Sequence, residues 1–333
     1  MLTDRLDISP EVSAALADGH PVVALESTLI SHGLPYPENL AVARGSEAAV
    51  RATGAIPATV AIHAGRVLVG LDDAAIEALA TAPPGSVRKA ARPSLAAAIA
   101  DGEWAATTVS ATMIGAHAAG IRVLATGGIG GVHRGALGGQ ASVVAGDPSR
   151  GVGDAAHDAH PAAPPTFDIS SDLEELGRTA MAVVCAGPKA ILDVPATLEY
   201  LETRGVPVVA VGQPDVPGFF ARSTGLPAPA SAPDIAGAAI VVATHLELAL
   251  GGAILVCVPV PEADALPRDL ARQAVEGAIA DAASAGIGGP ALTPWLLARI
   301  AVLTDGASIR ANTALILNDA RAAGELAGRL SRG

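Results

Sequence analysis

Aromatic side chains make up only 2% of this 333-residue chain, too few for the stacked-ring platforms that hold single-stranded nucleic acid. Cysteine is scarce as well, and its two copies, Cys185 and Cys257, each sit inside an apolar, strand-like run. That excludes a disulfide framework and a cysteine-based zinc site, and reads as two small buried hydrophobes in a reducing compartment. Positive charge is short: 21 Lys and Arg stand against 33 Asp and Glu, a formal net charge of −12. This balance argues against general binding to nucleic acid or to anionic membrane, while leaving room for a small focused positive pocket. Long hydrophobic runs are also missing. No basic stretch leads into an apolar segment after Met1, and apolar runs elsewhere are short and broken by Gly or Pro, so the expectation is a soluble cytoplasmic protein.

What the sequence does contain is an alternation of short apolar runs with amphipathic stretches. Strands are expected at Pro21–Thr28, Met181–Ala186, Val206–Val211 and Ala253–Val258, with a hairpin at Pro57–Ile62 and Arg66–Val69. Helices are expected after the Ser9-Pro10 cap, over Glu38–Thr53, from Asp72 to before Pro83, over Ser94–Asp101, over Lys189–Arg204 with Pro195 near its middle or at a break, over Asp234–Ala249 and Arg268–Ala285, then Pro294–Leu303 and Ile309–Leu330. Ser171-Asp172-Leu173-Glu174 reads as a capping box. The pattern is α/β, a largely parallel sheet flanked by helices on both faces, in one domain spanning 1–333. Leu137–Pro165 interrupts it: rich in Gly, Ala, Asp and Pro and poor in large apolar residues, it reads as a mobile surface excursion. His157 and His160, with Asp154 and Asp158, have ligand-like spacing inside that polar stretch.

The run Thr126–Ala136, TGGIGGVHRGA, follows the apolar Ile121–Ala125 and puts four glycines within six residues at a strand end. Backbone there can approach a ligand, and Thr126, His133 and Arg134 add a hydroxyl, an imidazole and a positive charge, so a phosphate or carboxylate cradle and a tight glycine turn both fit. Glu26 ends an apolar strand, as a proton donor raised in pKa by burial or as half of an internal ion pair. Lys189 follows the Gly187-Pro188 turn at an expected helix entrance, where the helix field favours the neutral amine: a Schiff-base nucleophile, or a lysine reaching solvent. Asp168 and Asp172 flank a helix start and suit a hard divalent ion held largely through water, or helix capping. Lys89 lies in a basic island, Val87–Arg92, and either neutralises phosphate or is a solvated loop charge.

Taken together, the words VALESTLISHGLPYPEN (Val23–Asn39), ATTVSATM (Ala106–Met113), ATGGIGGVHRGA (Ala125–Ala136), TFDISSDLEEL (Thr166–Leu176), VVCAGPKAILD (Val183–Asp193), LEYLETRGVPV (Leu198–Val208) and RANTALILNDA (Arg310–Ala320) closely resemble the pseudouridine-5′-phosphate glycosidase family, which includes the indigoidine-synthase A-like proteins. The resemblance implies reversible cleavage of the C–C bond between ribose 5-phosphate and uracil, with a divalent metal, usually Mn²⁺, in a homotrimer. By motif it implies Lys189 as covalent nucleophile, Glu26 as proton donor and Asp168 as metal ligand. Lys89, Val109, Ser170, Ser171 and Asp172 would be substrate positions, with Thr126, His133 and Asn312 close by. The chain departs from the family pattern in the inserted Leu137–Pro165 and, around Lys89, in the looser RKAARPS. The competing readings are another Schiff-base lyase or aldolase of sugar phosphates, and an inactive metabolite-binding relative.

Overall fold

The structure is a computed structural model and describes residues 1–138, 165–287 and 292–331. Nearly all of the Leu137–Pro165 excursion, with His157, His160, Asp154 and Asp158, therefore lies outside the described residues. Thirteen strands are found among the described residues: β1 Leu6–Ile8, β2 Val22–Leu25, β3 Ile56–His63, β4 Arg66–Val69, β5 Arg88–Ala90, β6 Ala105–Thr107, β7 Val123–Ala125, β8 Val132–His133, β9 Ala182–Cys185, β10 Leu192–Asp193, β11 Val208–Val211, β12 Ala230–Ala232 and β13 Ile254–Cys257. Eleven join one sheet, in the order β1-β4-β3-β2-β7-β9-β13-β11-β12, with β6 attached to β3 and β5 to β6, while β8 and β10 pair separately. From β3 through β12 along that path every pairing is parallel. The expected β3–β4 hairpin is antiparallel.

The central strands are apolar on both faces because both are covered. Ala24, Leu124, Val183 and Cys185 point to one side, into a core shared with Pro10–Ala17, Val109–Ala118, Ser171–Leu176 and Val194–Thr203. Val23, Leu25, Val123, Ala125 and Val184 point to the other, onto Glu38–Arg51, Ile235–Glu247 and Ala307–Leu330. A third cluster, built from Phe219, Phe220 and the helices Arg268–Ser284 and Leu292–Leu303, packs on Ala186, Ile191 and Leu192, beyond the end of β9. No single helix among the described residues is long and apolar enough to cross a membrane.

Two local expectations are corrected. Lys189 does not enter a helix: a turn and β10 intervene, and the helix starts at Val194, capped by Asp193 Oδ1 accepting from the Ala196 amide at 3.1 Å. Pro195 sets that boundary, since proline lacks the N–H that a helix interior needs but suits its first turn. The helix-field argument for a neutral Lys189 amine therefore does not apply. Likewise Ser170, not Ser171, caps the helix Ser171–Leu176, its Oγ accepting from the Asp172 amide at 3.3 Å.

Candidate active site

Parallel register builds the site. Leu25 pairs with Ala125 and Ala125 with Val184, so the next residues, Glu26, Thr126 and Cys185, emerge side by side at the carboxyl ends of three adjacent strands, where open α/β sheets bind ligands. The pairing continues past the strands. The Ala186 amide donates to Gly127 O at 3.1 Å, Ile129 to Gly187 O at 3.2 Å, and Lys189 to Ile129 O at 3.1 Å. The glycine run and the Gly187-Pro188 turn thus form one backbone ribbon that fixes where the Lys189 side chain begins.

Glu26 is buried, and Thr126 donates its hydroxyl to Oε1. Loss of water raises its pKa above the ordinary carboxyl value; Lys189, the Thr126 bond and Lys89 oppose that, and Asp172 adds to it. A small cavity lies against it, lined in part by Thr126, Leu25, Leu29, Ala125 and Ile316. Lys89, on β5, keeps solvent contact, yet protein around its ammonium, then the like charge of Lys189, lower its pKa against the pull of Glu26 and Asp172. Glu26, Lys89, Asp172 and Lys189 are therefore one electrostatic group: two carboxyls facing two amines.

Asp172 belongs to this group but has structural obligations. It is 5% exposed, and its two oxygens accept from the Ser110 amide at 2.9 Å and the Gly130 amide at 3.0 Å. It ties the start of the Val109–Ala118 helix to the glycine run, and Ser171 Oγ lies 3.2 Å from Ser110 Oγ in the same seam. Val109 is buried in the core, so its backbone, not its side chain, is what the site can use.

Part of the glycine run, read as either an anion cradle or a tight turn, is engaged by the protein itself. Ile129, Gly130, Val132 and His133 all spend their amides internally, on Gly187 O, Asp172, Thr197 Oγ1 and Asp168 O. A Cβ on Gly127 would stand 2.7 Å from Ile316 Cγ1, and one on Gly130 would stand 2.1 Å from Ser170 Oγ. These glycines admit neighbouring protein. Phe219, buried at φ +63°, presses its ring on Gly128 from the other side. Arg134 donates to Ala190 O at 3.5 Å and braces the chain just past Lys189, and burial lowers its pKa.

Asp168 and His133 make a second, more open patch. Asp168 Oδ2 lies 3.8 Å from His133 Nδ1, and the carboxylate side chain is 53% exposed. Among the described residues no group of three or more His, Cys, Asp and Glu converges on a point that would cage a metal. A single accessible carboxylate beside an imidazole fits a hard cation that keeps most of its water. Asn312 is half-buried near the start of Ala307–Leu330, and Leu315 and Ile316, three and four positions on and so on the same helix face, reach Gly127.

Sequence reasoning missed His32. It is half-buried at the end of the short helix that follows Glu26, with Nδ1 2.8 Å from Ser31 Oγ, and burial, then the Lys89 charge, lower its pKa. The available signal was its place six residues after Glu26, at the head of His32–Pro35, a stretch that reads as a turn from sequence; the structure makes His32 the last residue of a short helix, Thr28–His32. Also unseen was Glu175, 2% exposed, which pairs with Arg92 and anchors the segment carrying Lys89 to the helix carrying Asp172.

The model of the family described as "Indigoidine synthase A like protein" matches residues 11–147 and 149–329. The pseudouridine-5′-phosphate glycosidase of Paracoccus denitrificans is 49% identical over 324 residues, 97% of this chain and 98% of the relative. That of Solibacter usitatus is 50% identical over 326 residues, 98% and 99% of the two chains. Among solved structures, the prealnumycin C-glycosynthase AlnA in complex with ribulose 5-phosphate superposes with a TM-score of 0.83 at 35% identity, covering 98% of this chain and 97% of that one. An indigoidine synthase A-like protein of Thermotoga maritima gives 0.80 at 29% identity, with the same coverage.

Proposed function

The chain belongs to the indigoidine synthase A-like family, and from that premise we propose that it is an enzyme that reversibly cleaves the C–C glycosidic bond of pseudouridine 5′-phosphate to ribose 5-phosphate and uracil. The observation that carries the reading is the juxtaposition, at the sheet's carboxyl edge, of a buried carboxyl of raised pKa, Glu26, with two amines, Lys89 and Lys189. The leaving carbon of uracil has no lone pair to protonate, so simple oxocarbenium hydrolysis suits this bond poorly. A lysine adduct gives the electrons another route.

In that route Glu26 gives its proton to the ring oxygen as the bond from C1′ to that oxygen breaks. The Lys189 amine adds to C1′, and its proton returns to the Glu26 carboxylate. Glu26 then passes that proton to C5 of the uracil ring as the C1′–C5 bond breaks and the nitrogen lone pair forms the protonated C1′=N imine. Water then adds to the imine, releasing ribose 5-phosphate and the free amine and returning the proton to Glu26. Lys89 neutralises the phosphate, and binding at that remote group holds C1′ over Lys189. Asp168 is the residue that would hold a divalent ion such as Mn²⁺, which when bound supplies positive charge to substrate oxygens. A homotrimer is part of the proposal, as the family resemblance implies, and Ile240, Leu248 and Leu250 are exposed apolar side chains that a contact between subunits would cover.

Incubating the purified protein with pseudouridine 5′-phosphate, with and without Mn²⁺, and measuring free uracil tests the reading. Stoichiometric uracil and ribose 5-phosphate are expected; tight binding without release would overturn it in favour of an inactive relative.

A further inference from the structure

Glu26 is followed by two hydroxyl residues, Ser27 and Thr28, that the mechanism leaves without a task. Ser27 stands at the start of the helix Thr28–His32, where a serine ordinarily caps, yet its side chain makes no capping bond. Its Oγ turns inward instead: it donates to Val60 O at 2.6 Å and accepts from the Thr107 amide at 2.9 Å. Thr107, on β6, makes the matching bond. Its Oγ1 donates to Val60 O at 2.6 Å and accepts from Thr112 Oγ1 at 2.8 Å. The Thr107 carbonyl then accepts from the Ser27 amide at 3.3 Å and from the Thr28 hydroxyl at 2.7 Å. Ser27, Thr107 and Thr112 are all fully buried.

β6 is also the strand that holds Lys89. Lys89 pairs with Ala106 and Ala90 with Thr107 in parallel register, and the Thr108 amide donates to Ala90 O at 2.8 Å. Thr107 therefore has on one side the strand that carries the lysine and on the other the turn that carries the acid. Resting on the proposed roles of Glu26 as proton donor and Lys89 as phosphate cation, we propose that Thr107 is a positioning residue: with Ser27 it clasps the turn after Glu26 to β6, and so fixes the span between the group that meets the ribose ring and the group that meets the phosphate. Each hydroxyl has one proton, and both protons are spent on Val60 O, whose carbonyl oxygen has two lone pairs. The two hydroxyl oxygens then accept, one from the Thr107 amide and the other from Thr112, so the cluster is closed. Removing either hydroxyl leaves buried partners without a mate, a penalty that shifting the turn relieves. The β5–β6 ladder is backbone pairing and does not depend on these hydroxyls, so Lys89 keeps its place when the clasp is opened. Thr107 is fully buried and acts through Glu26, not by contact with substrate.

Two substitutions at Thr107 in the full chain separate the clasp from a mere packing role. Thr107→Ser keeps both hydroxyl bonds and should leave kcat and KM for pseudouridine 5′-phosphate within about 3-fold of the unaltered protein. Thr107→Val keeps the shape but removes the donor to Val60 O and leaves the Thr112 hydroxyl without its acceptor. Its kcat for uracil release should fall by ~10- to 100-fold, the scale set by small misplacement of a reacting group, with KM changed less than about 3-fold because Lys89 stays in place. Ser27→Ala should reproduce that split. One readout does not need turnover. Protection of the Ser27 amide from hydrogen exchange should be kept in Thr107→Ser and lost in Thr107→Val, although its own acceptor, the Thr107 carbonyl, is unaltered in both. Unchanged kcat or unchanged Ser27 protection in Thr107→Val overturns the clasp, and so does an equal loss of kcat in Thr107→Ser, which would make the methyl group and not the hydroxyl the part that matters. If Thr107→Val does not fold, the kinetics of Ser27→Ala and the protection of its amide at position 27 decide the matter. Absence of uracil release from the unaltered protein would instead strike the reading of the reaction, and the exchange of the Ser27 amide would then decide the clasp.

Discussion

Replacing Asp172 should show that this carboxylate holds the site together before it does anything to substrate. Its two oxygens accept from the Ser110 and Gly130 amides at 2.9 and 3.0 Å, in a setting where the residue is 5% exposed. A hydrogen bond to a charged group contributes roughly 1.5–3 kcal/mol net, and a buried N–H left without its acceptor costs on the same scale, so Asp172→Ala should destabilise by about 3–6 kcal/mol. Asp172→Asn keeps one acceptor oxygen but turns an NH₂ toward the other amide, and should cost roughly 2–3 kcal/mol. Urea unfolding monitored by circular dichroism reads both as a lower midpoint at unchanged slope. Activity should fall with stability, because Gly130 adjoins Ile129, whose carbonyl accepts from the Lys189 amide at 3.1 Å. A midpoint for Asp172→Asn equivalent to less than ~0.5 kcal/mol of loss would refute the reasoning, since ordinary surface substitutions stay within that range.

Glu26→Gln should lower kcat by ~10²- to 10⁴-fold, the usual worth of a positioned proton donor; because burial raises the Glu26 pKa, the unaltered enzyme's kcat should decline only as pH rises past the ordinary carboxyl range, a limb absent from the residual rate of the variant. Chelation should abolish turnover and Mn²⁺ restore it, while Asp168→Asn should demand at least about 10-fold more Mn²⁺ for half-maximal rate; an undiminished rate in chelated protein would contradict this. Asp319 binds its proton more tightly folded than unfolded, so the stability it confers is complete below the ordinary carboxyl range and is lost as pH rises toward its folded value. Unfolding titrations from about pH 4 to about pH 8 should therefore show Asp319→Asn less pH-sensitive than the unaltered protein, by up to ~1.4 kcal/mol per pH unit. An identical slope in both would count against a protonated Asp319.

The strands were legible because burial on both faces leaves unbroken apolar runs, as in Val22–Leu25 and Ala182–Cys185, and the residues that end them, Glu26 and Thr126, had to share one edge of the sheet. Cap residues such as Ser9, Asp72 and Asp234 gave helix starts directly. Distant partners left no such mark. The glycine run fitted a ligand cradle and a tight turn alike because its neighbours, Asp172, Thr197, Phe219 and Ile316, come from elements that local pattern cannot bring to it. Asp172 read as a helix-start charge, which its position allows, but its bonds to Ser110 and Gly130 depend on tertiary packing. His32 looked like part of a turn and Lys189 like the first turn of a helix; in the second case Asp193 and Pro195 together carried the correct boundary. The role of Lys189 came from the resemblance of whole motifs, not from its local physics.

The most direct measurement adds borohydride during turnover of pseudouridine 5′-phosphate and maps the product by mass spectrometry, alongside uracil release by Lys189→Ala. Reduction of the imine should leave a pentose phosphate, as a secondary amine, on the peptide containing Lys189, and the Lys189→Ala protein should fold, with Glu26 and Thr126 still paired, yet release no uracil above background. Near-full uracil release by Lys189→Ala, or a reduced adduct on a different lysine, would contradict the account.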